Sequence, residues 1–155
     1  MAPYSGLYLR SIQQGALTLG IEPSAMPVDD ESDVERSLSA LGQQPDSGLI
    51  VLQDAFTVHR RNLIIDQVAR LRIPAVYTVR LYPESGGLVS YGVDFANQFR
   101  QAAIYADLML KGAKLGELPA QQPTKFELVL NLKTAKALGI EITPSLLVRA
   151  DEVIE

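Results

Sequence analysis

The sequence predicts an α/β fold in which a mostly parallel sheet is flanked by helices. Three features carry that expectation. Short apolar runs at Gly48–Leu52, Pro74–Val79 and Leu88–Tyr91 alternate with longer stretches of helical apolar spacing, the order that βαβ units produce. Turn and cap residues separate the segments, so each reads as its own element. The chain has 155 residues, 47% of them apolar, enough for one sizeable core.

Residues Leu7 to Leu19 read as a helix closed by Gly20. The extended run Ile21 to Val28 carries Pro23 and Pro27, which reduce it to an edge strand or part loop. Ser32-Asp33-Val34-Glu35 has the form of a capping box. Val34, Leu38 and Leu41 then share one face, and Gly42 ends the helix. Gly48–Leu52 is the kind of apolar run buried on both faces. A helix from about Thr57 to Leu71 follows, with Ile64, Val68 and Leu71 as its core stripe.

After the strand at Pro74–Val79, residues Tyr82 to Gly87 form a loop rich in turn formers. The short strand Leu88–Tyr91 leads to Asp94, a cap for a helix whose Phe95, Phe99, Ala102, Ala106 and Met109 recur at helical spacing; Gly112 ends it. The chain then changes texture. Residues 1–117 read as an α/β unit, and residues 118–155 as a linker, strand and helices. In that tail Leu118–Thr124 is linker-like, Lys125–Leu130 is a strand, Asn131 caps a short helix ending at Gly139, and Thr143-Pro144 starts a last helix.

Composition excludes several function classes. A net charge of −4 argues against a nucleic-acid partner, and Arg60-Arg61 reads as a solvated helix face. The absence of cysteine rules out disulfides, thiolate metal sites and thiol nucleophiles while leaving the compartment open. The start, Met-Ala-Pro-Tyr-Ser-Gly, has neither a basic nor an apolar leader region, so no secretion signal is read there. No Gly-rich phosphate loop follows a strand. His59, the one histidine, falls in a helix beside Arg60 and reads as structural or exposed. No catalytic constellation emerges, and no cofactor or metal is expected.

A site in an open parallel sheet lies beyond the carboxyl ends of the strands. Four places qualify: Tyr4-Ser5, the loop holding Asp54 and Phe56, the loop holding Arg80 and Tyr82, and Ser90-Tyr91. Their hydroxyls, carboxylate, guanidinium and rings suit a small zwitterion or carboxylate with an apolar side group. Each has a plainer reading: Asp54 and Ser5 as caps, Arg80 as a surface residue, Tyr82 as a turn residue, Ser90 and Tyr91 as strand packing.

The tail from Leu118-Pro-Ala-Gln-Gln-Pro-Thr-Lys-Phe-Glu-Leu-Val-Leu-Asn-Leu-Lys through Asp151-Glu-Val-Ile-Glu155 resembles the C-terminus of ABC-transporter substrate-binding proteins related to tryptophan- and tyrosine-binding lipoproteins. The stretches Leu49–Asp54, Ile73–Tyr77 and Glu84–Gly92 resemble that family too, so the likeness runs over nearly the whole chain. It implies one lobe of a type I periplasmic-binding fold, with a solute clamped between two lobes; residues 1–117 would then be the α/β ligand-binding lobe, and residues 118–155 would pack back on it or toward the missing lobe. It also implies an ABC permease as partner of the full-length protein and an extracytoplasmic location. Asp54 then looks ligand-facing, Tyr4-Ser5 resembles a turn that meets a ligand carboxylate, Arg80 and Tyr82 fall in a variable cleft loop, and Ser90 matches a small hydroxyl residue near the cleft.

Family members also carry a secretion signal, a first lobe and a strand leading into the second lobe, and this chain begins just after that strand. Lacking that first strand, the sheet is expected to have unpaired edges that favour self-association. Two alternatives stand beside the importer reading: a ligand-sensing regulatory domain of the same fold, and a truncated lobe with no binding activity of its own.

Overall fold

The computed structural model describes residues 5–155. Five strands form one sheet in chain order: β1 (Leu49–Val51), β2 (Ala75–Tyr77), β3 (Val89–Val93), β4 (Phe126–Asn131) and β5 (Glu152–Ile154). β1, β2 and β3 run parallel, β4 is antiparallel to β3, and β5 is parallel to β4. The expected mostly parallel α/β sheet is therefore present, and the tail strands β4 and β5 extend it.

Eight α-helices accompany the sheet among the described residues: α1 (Ser5–Leu19), α2 (Glu31–Leu41), α3 (Ala55–His59), α4 (Arg61–Arg70), α5 (Leu81–Glu84), α6 (Phe95–Leu110), α7 (Leu132–Leu138) and α8 (Pro144–Arg149). The core lies on one face of the sheet. Val34, Leu38 and Leu41 of α2 meet Ile64, Ile65 and Val68 of α4 over Val51, Ala75 and Tyr77. Burial of such side chains stabilises by about 1.5–3 kcal/mol each, and this cluster is the main apolar contribution to the fold.

Local signals set most boundaries. Asn131 caps α7 by accepting from the Thr134 amide at 3.0 Å, and Gly139 ends that helix at φ +72°, the left-handed region that costs glycine nothing. The second amide function of Asn131 donates to the Pro83 carbonyl at 2.9 Å. Thr134 Oγ1 donates to the Gly86 carbonyl at 2.8 Å. The tail is thus pinned to the loop after α5 by buried and half-buried polar contacts.

Four expectations are corrected. The cap of α2 is Asp30, which accepts from the Asp33 amide at 2.9 Å and from Ser32 Oγ at 2.7 Å; Ser32 lies inside the helix and orients the cap instead of being it. The expected helix from Thr57 to Leu71 is two helices, broken at Arg60 where the backbone leaves helical values (φ −93°, ψ 16°). The loop at Tyr82–Gly87 opens with one helical turn, α5, because Pro83 falls in the first turn, where no amide donor is needed. β1 is buried on one face only: Ile50 is 52% exposed and Val76 beside it 40%. That face also shows Tyr91 and Phe126. Helix α6, whose apolar residues recur at helical spacing, has no buried residue.

Asp94 caps α6, accepting from the Asn97 amide at 2.9 Å, and its second oxygen is 2.9 Å from Lys125 Nζ. The amide bond and then the ammonium hold its carboxyl below the ordinary aspartate range. A depressed native value means stability that is complete above the unfolded value near pH ~3.9 and lost as pH falls through the native one. Asp94→Asn keeps the cap and removes the charge. Urea midpoints measured from pH 7 down to 2 should fall less steeply on the acid side for this variant; an unchanged acid slope would rule out the contribution.

Candidate functional site

The carboxyl ends of β1, β2 and β3 point to one rim of the sheet. At the end of β1, Gln53, Asp54, Ala55, Val58, His59 and Arg61 line an open depression of about 420 Å³. The local fold explains the grouping. Asp54 accepts from the Thr57 amide at 2.8 Å, while Thr57 Oγ1 accepts from the Asp54 amide at 3.0 Å. This reciprocal cap starts a helix directly after the strand. One carboxylate oxygen makes the cap, which leaves the carboxylate half-exposed at the rim.

The break at Arg60 brings Arg61 beside the same depression, its Nη1 donating to the Val58 carbonyl at 3.3 Å. His59 is exposed at the lip. A carboxylate, a guanidinium, an imidazole and an amide thus border one shallow surface with Val58 and Ala55 as its apolar part. Such an arrangement can hold opposite charges of a zwitterion at separate points.

The other residues singled out from the sequence are dispersed. Tyr4 lies outside the described residues, and Ser5 opens α1. Phe56 is half-buried and packs against the core cluster next to the depression. Tyr82 is 1% exposed: its ring stacks on Tyr77 at 4.3 Å between centroids, and its hydroxyl donates to the Thr57 carbonyl at 2.8 Å. Burial pushes that phenol up to about 12. Ser90, register partner of Tyr77, is also 1% exposed and on the core side, its hydroxyl unpaired among the described residues. Tyr91 is on the opposite, exposed face, stacked on Phe126 at 5.8 Å.

Arg80 is held by carboxylates. Its guanidinium donates to Glu84 at 2.7 Å, to Glu127 at 2.9 Å and to Glu152. The Glu84 hydrogen bond raises its pKa further above the ordinary arginine value against desolvation, and Glu152 adds to the rise. With three carboxylates on one guanidinium, the cluster is anionic, which disfavours a ligand carboxylate there. Tyr82 thus faces the core, and Arg80 ties β4 and β5 to α5.

Sequence reading missed Arg61, Val58 and His59 as rim residues. The missing cue was the second helix start: with one continuous helix expected from Thr57, these positions fall on its outer surface. A cap at Asp54 read together with its Thr57 partner would have moved the helix start to Ala55 and its first turn onto the rim.

The family model for ABC transporter substrate binding protein matches residues 8–154, and the chain belongs to that family. No curated protein matches it. Among solved structures it is similar to a conserved domain protein from Vibrio cholerae O1 biovar El Tor, at 24% identity and TM-score 0.82 over 96% of this chain and 50% of that one. It is also similar to an ABC domain in complex with L-Trp from Streptococcus pneumonia, at 21% identity and TM-score 0.84 over 97% of this chain and 50% of that one. A third is a ligand-free, open substrate binding protein with adhesive properties from Clostridium difficile, at 18% identity and TM-score 0.72 over 99% and 51%. The chain spans about half the length of the structures it matches. Among the described residues, no helix is long and apolar enough to cross a membrane.

Proposed function

We propose that this chain is one lobe of the solute-binding component of an ABC importer, working outside the cytoplasm and delivering its solute to a permease. The solute is a small amino-acid-like or aromatic carboxylate. The observation that carries the reading is the depression at the end of β1, which Asp54 and Arg61 both line, in a member of the substrate-binding family. Asp54 holds the ammonium, Arg61 and the neighbouring helix-start amides favour the carboxylate, and Phe56 with Tyr4 supplies ring surface for the side group. Ser5 adds a hydroxyl at the start of α1.

A second lobe fits two further features. The depression is open, so one lobe offers only one wall, and ligand pockets bury most of their ligand's surface. Helix α6 exposes Phe99, Ile104, Leu108 and Leu110 and buries nothing, whereas a helix apolar on more than one side ordinarily packs on several sides.

A thermal-shift titration with L-tryptophan and L-tyrosine at millimolar levels tests the reading. With a Kd on the order of 1 mM, 10 mM ligand adds roughly 1.4 kcal/mol to stability. The expected result is a rise in midpoint that Asp54→Asn abolishes. Asparagine is as good a cap as aspartate, so the variant separates lost charge from lost folding. If no amino acid or aromatic carboxylate moves the midpoint, this lobe has no such half-site.

A further inference from the structure

Only Arg60 separates α3 from α4, and a single carbonyl decides whether they are two helices or one. In an unbroken helix the Thr57 carbonyl would accept from the Arg61 amide, four residues on. Among the described residues that bond is not made. The helical bonds stop at the Phe56 carbonyl, which accepts from the Arg60 amide at 2.9 Å, and resume at the Arg60 carbonyl, which accepts from the Ile64 amide at 3.1 Å. The Thr57 carbonyl is taken instead by the Tyr82 hydroxyl at 2.8 Å. A side chain inserted into the helical ladder is a regular cause of such a break.

Tyr82 is held firmly in this place. Its ring is 1% exposed and stacked on Tyr77, and a buried phenol needs a partner. The turn that carries it is fixed from behind by the two tail contacts, Asn131 to the Pro83 carbonyl and Thr134 to the Gly86 carbonyl. From the end of the same turn, Ser85 Oγ accepts from Arg61 Nε at 3.4 Å. Burial raises the phenol's pKa most, and its bond to Thr57 opposes that; the Asp54 charge raises it further and the Arg61 charge lowers it. Both rim charges therefore lie within electrostatic reach of this hydroxyl.

We propose that Tyr82 is the positioning residue of the rim: its hydroxyl holds the helix open at Arg60 and so delivers the Arg61 guanidinium to the depression beside Asp54. What the rim then binds rests on the solute-binding reading; the break does not. Tyr82 itself acts from beneath, through Thr57. Without the hydroxyl the Thr57 carbonyl returns to the Arg61 amide, α3 and α4 join, and Arg61 leaves the rim.

Tyr82→Phe keeps the ring stack and removes the hydroxyl. Amide hydrogen exchange on the 155-residue chain is read at Arg61, Asn62 and Leu63, the first turn of α4. In the parent these amides should exchange rapidly, as helix-start amides do. In the variant they should slow about tenfold, whereas loss of a merely structural support would speed them. L-tryptophan is titrated alongside tryptamine, which keeps the ammonium and lacks the carboxylate. The Kd for L-tryptophan should rise about tenfold in the variant, toward that of tryptamine, and tryptamine should bind both proteins alike. Faster or unchanged exchange in the variant, slow exchange already in the parent, or an equal loss of both ligands overturns the assignment. If Tyr82→Phe does not fold, exchange in the parent decides it. Slowed exchange with no tryptophan binding by either protein upholds the break and overturns the solute reading alone.

Discussion

Gly92→Ala is expected to be among the most destabilising single substitutions in this chain. A Cβ at Gly92 would lie 2.0 Å from the Thr78 carbonyl oxygen and 2.8 Å from its carbon. Both are backbone atoms, so no rotamer change relieves the clash, and β3 must separate from the chain leaving β2. Overpacking ordinarily costs about 1–3 kcal/mol and occasionally more; with rigid backbone on the other side, about 3 kcal/mol or more is expected here. Against a total stability of roughly 5–15 kcal/mol, that is a large share. The urea midpoint should drop by about 1.5 M for a typical slope. Gly15→Ala is the control: it sits in α1 with nothing within 4 Å, and alanine is favoured over glycine in a helix by about 1 kcal/mol at most. A Gly92→Ala midpoint matching that of Gly15→Ala would mean the two strands are not in contact at this point.

Arg80→Met is expected to be the next most costly change. It leaves Glu84, Glu127 and Glu152 without their shared cation, and Glu127 is only 8% exposed. Removing one partner of a buried pair costs about 3–5 kcal/mol, but the Arg80 side chain is 35% exposed and solvent screens part of that. A loss of about 2 kcal/mol follows. Because β5 is an edge strand held by β4, by α7 and by this cluster, amide exchange in Glu152–Ile154 should accelerate before the core opens. The double variant Arg80→Met with Glu127→Met should recover part of the loss, since an apolar pair leaves no unpaired buried charge. If the single variant melts with the parent and β5 keeps its protection, the ion cluster is a surface ornament.

The parts of this fold readable from the sequence are those set within a few residues of one another. Asp94 and Asn131 lie three positions before the amides they cap, and Gly139 must reach a left-handed value that few other residues adopt. The face shared by Val34, Leu38 and Leu41 follows from helical period alone. The same locality misled at Ser32, where the box pattern fitted but Asp30 accepted the amide first. It misled again at Thr57, whose hydroxyl answers Asp54 and starts the helix two residues early. Asp54 was legible as a rim residue because it ends a strand and begins a helix. Arg61 was not, because its place depends on the break at Arg60.

By itself, then, the sequence determined the alternation of strands and helices, the caps, the lack of thiol chemistry and, through its tail and middle stretches, the family. Only the tertiary structure decided which side chains face outward. Tyr82 turned inward because its ring stacks on Tyr77 and its hydroxyl bonds to the Thr57 carbonyl, 25 positions away. Arg80 was claimed by Glu127 and Glu152, 47 and 72 positions away. The exposed side of Ile50 and Val76 depends on which elements come to lie against β1. Spacing within a segment encodes its period and its ends, whereas contacts between distant segments depend on how those segments pack, and no local pattern carries that information.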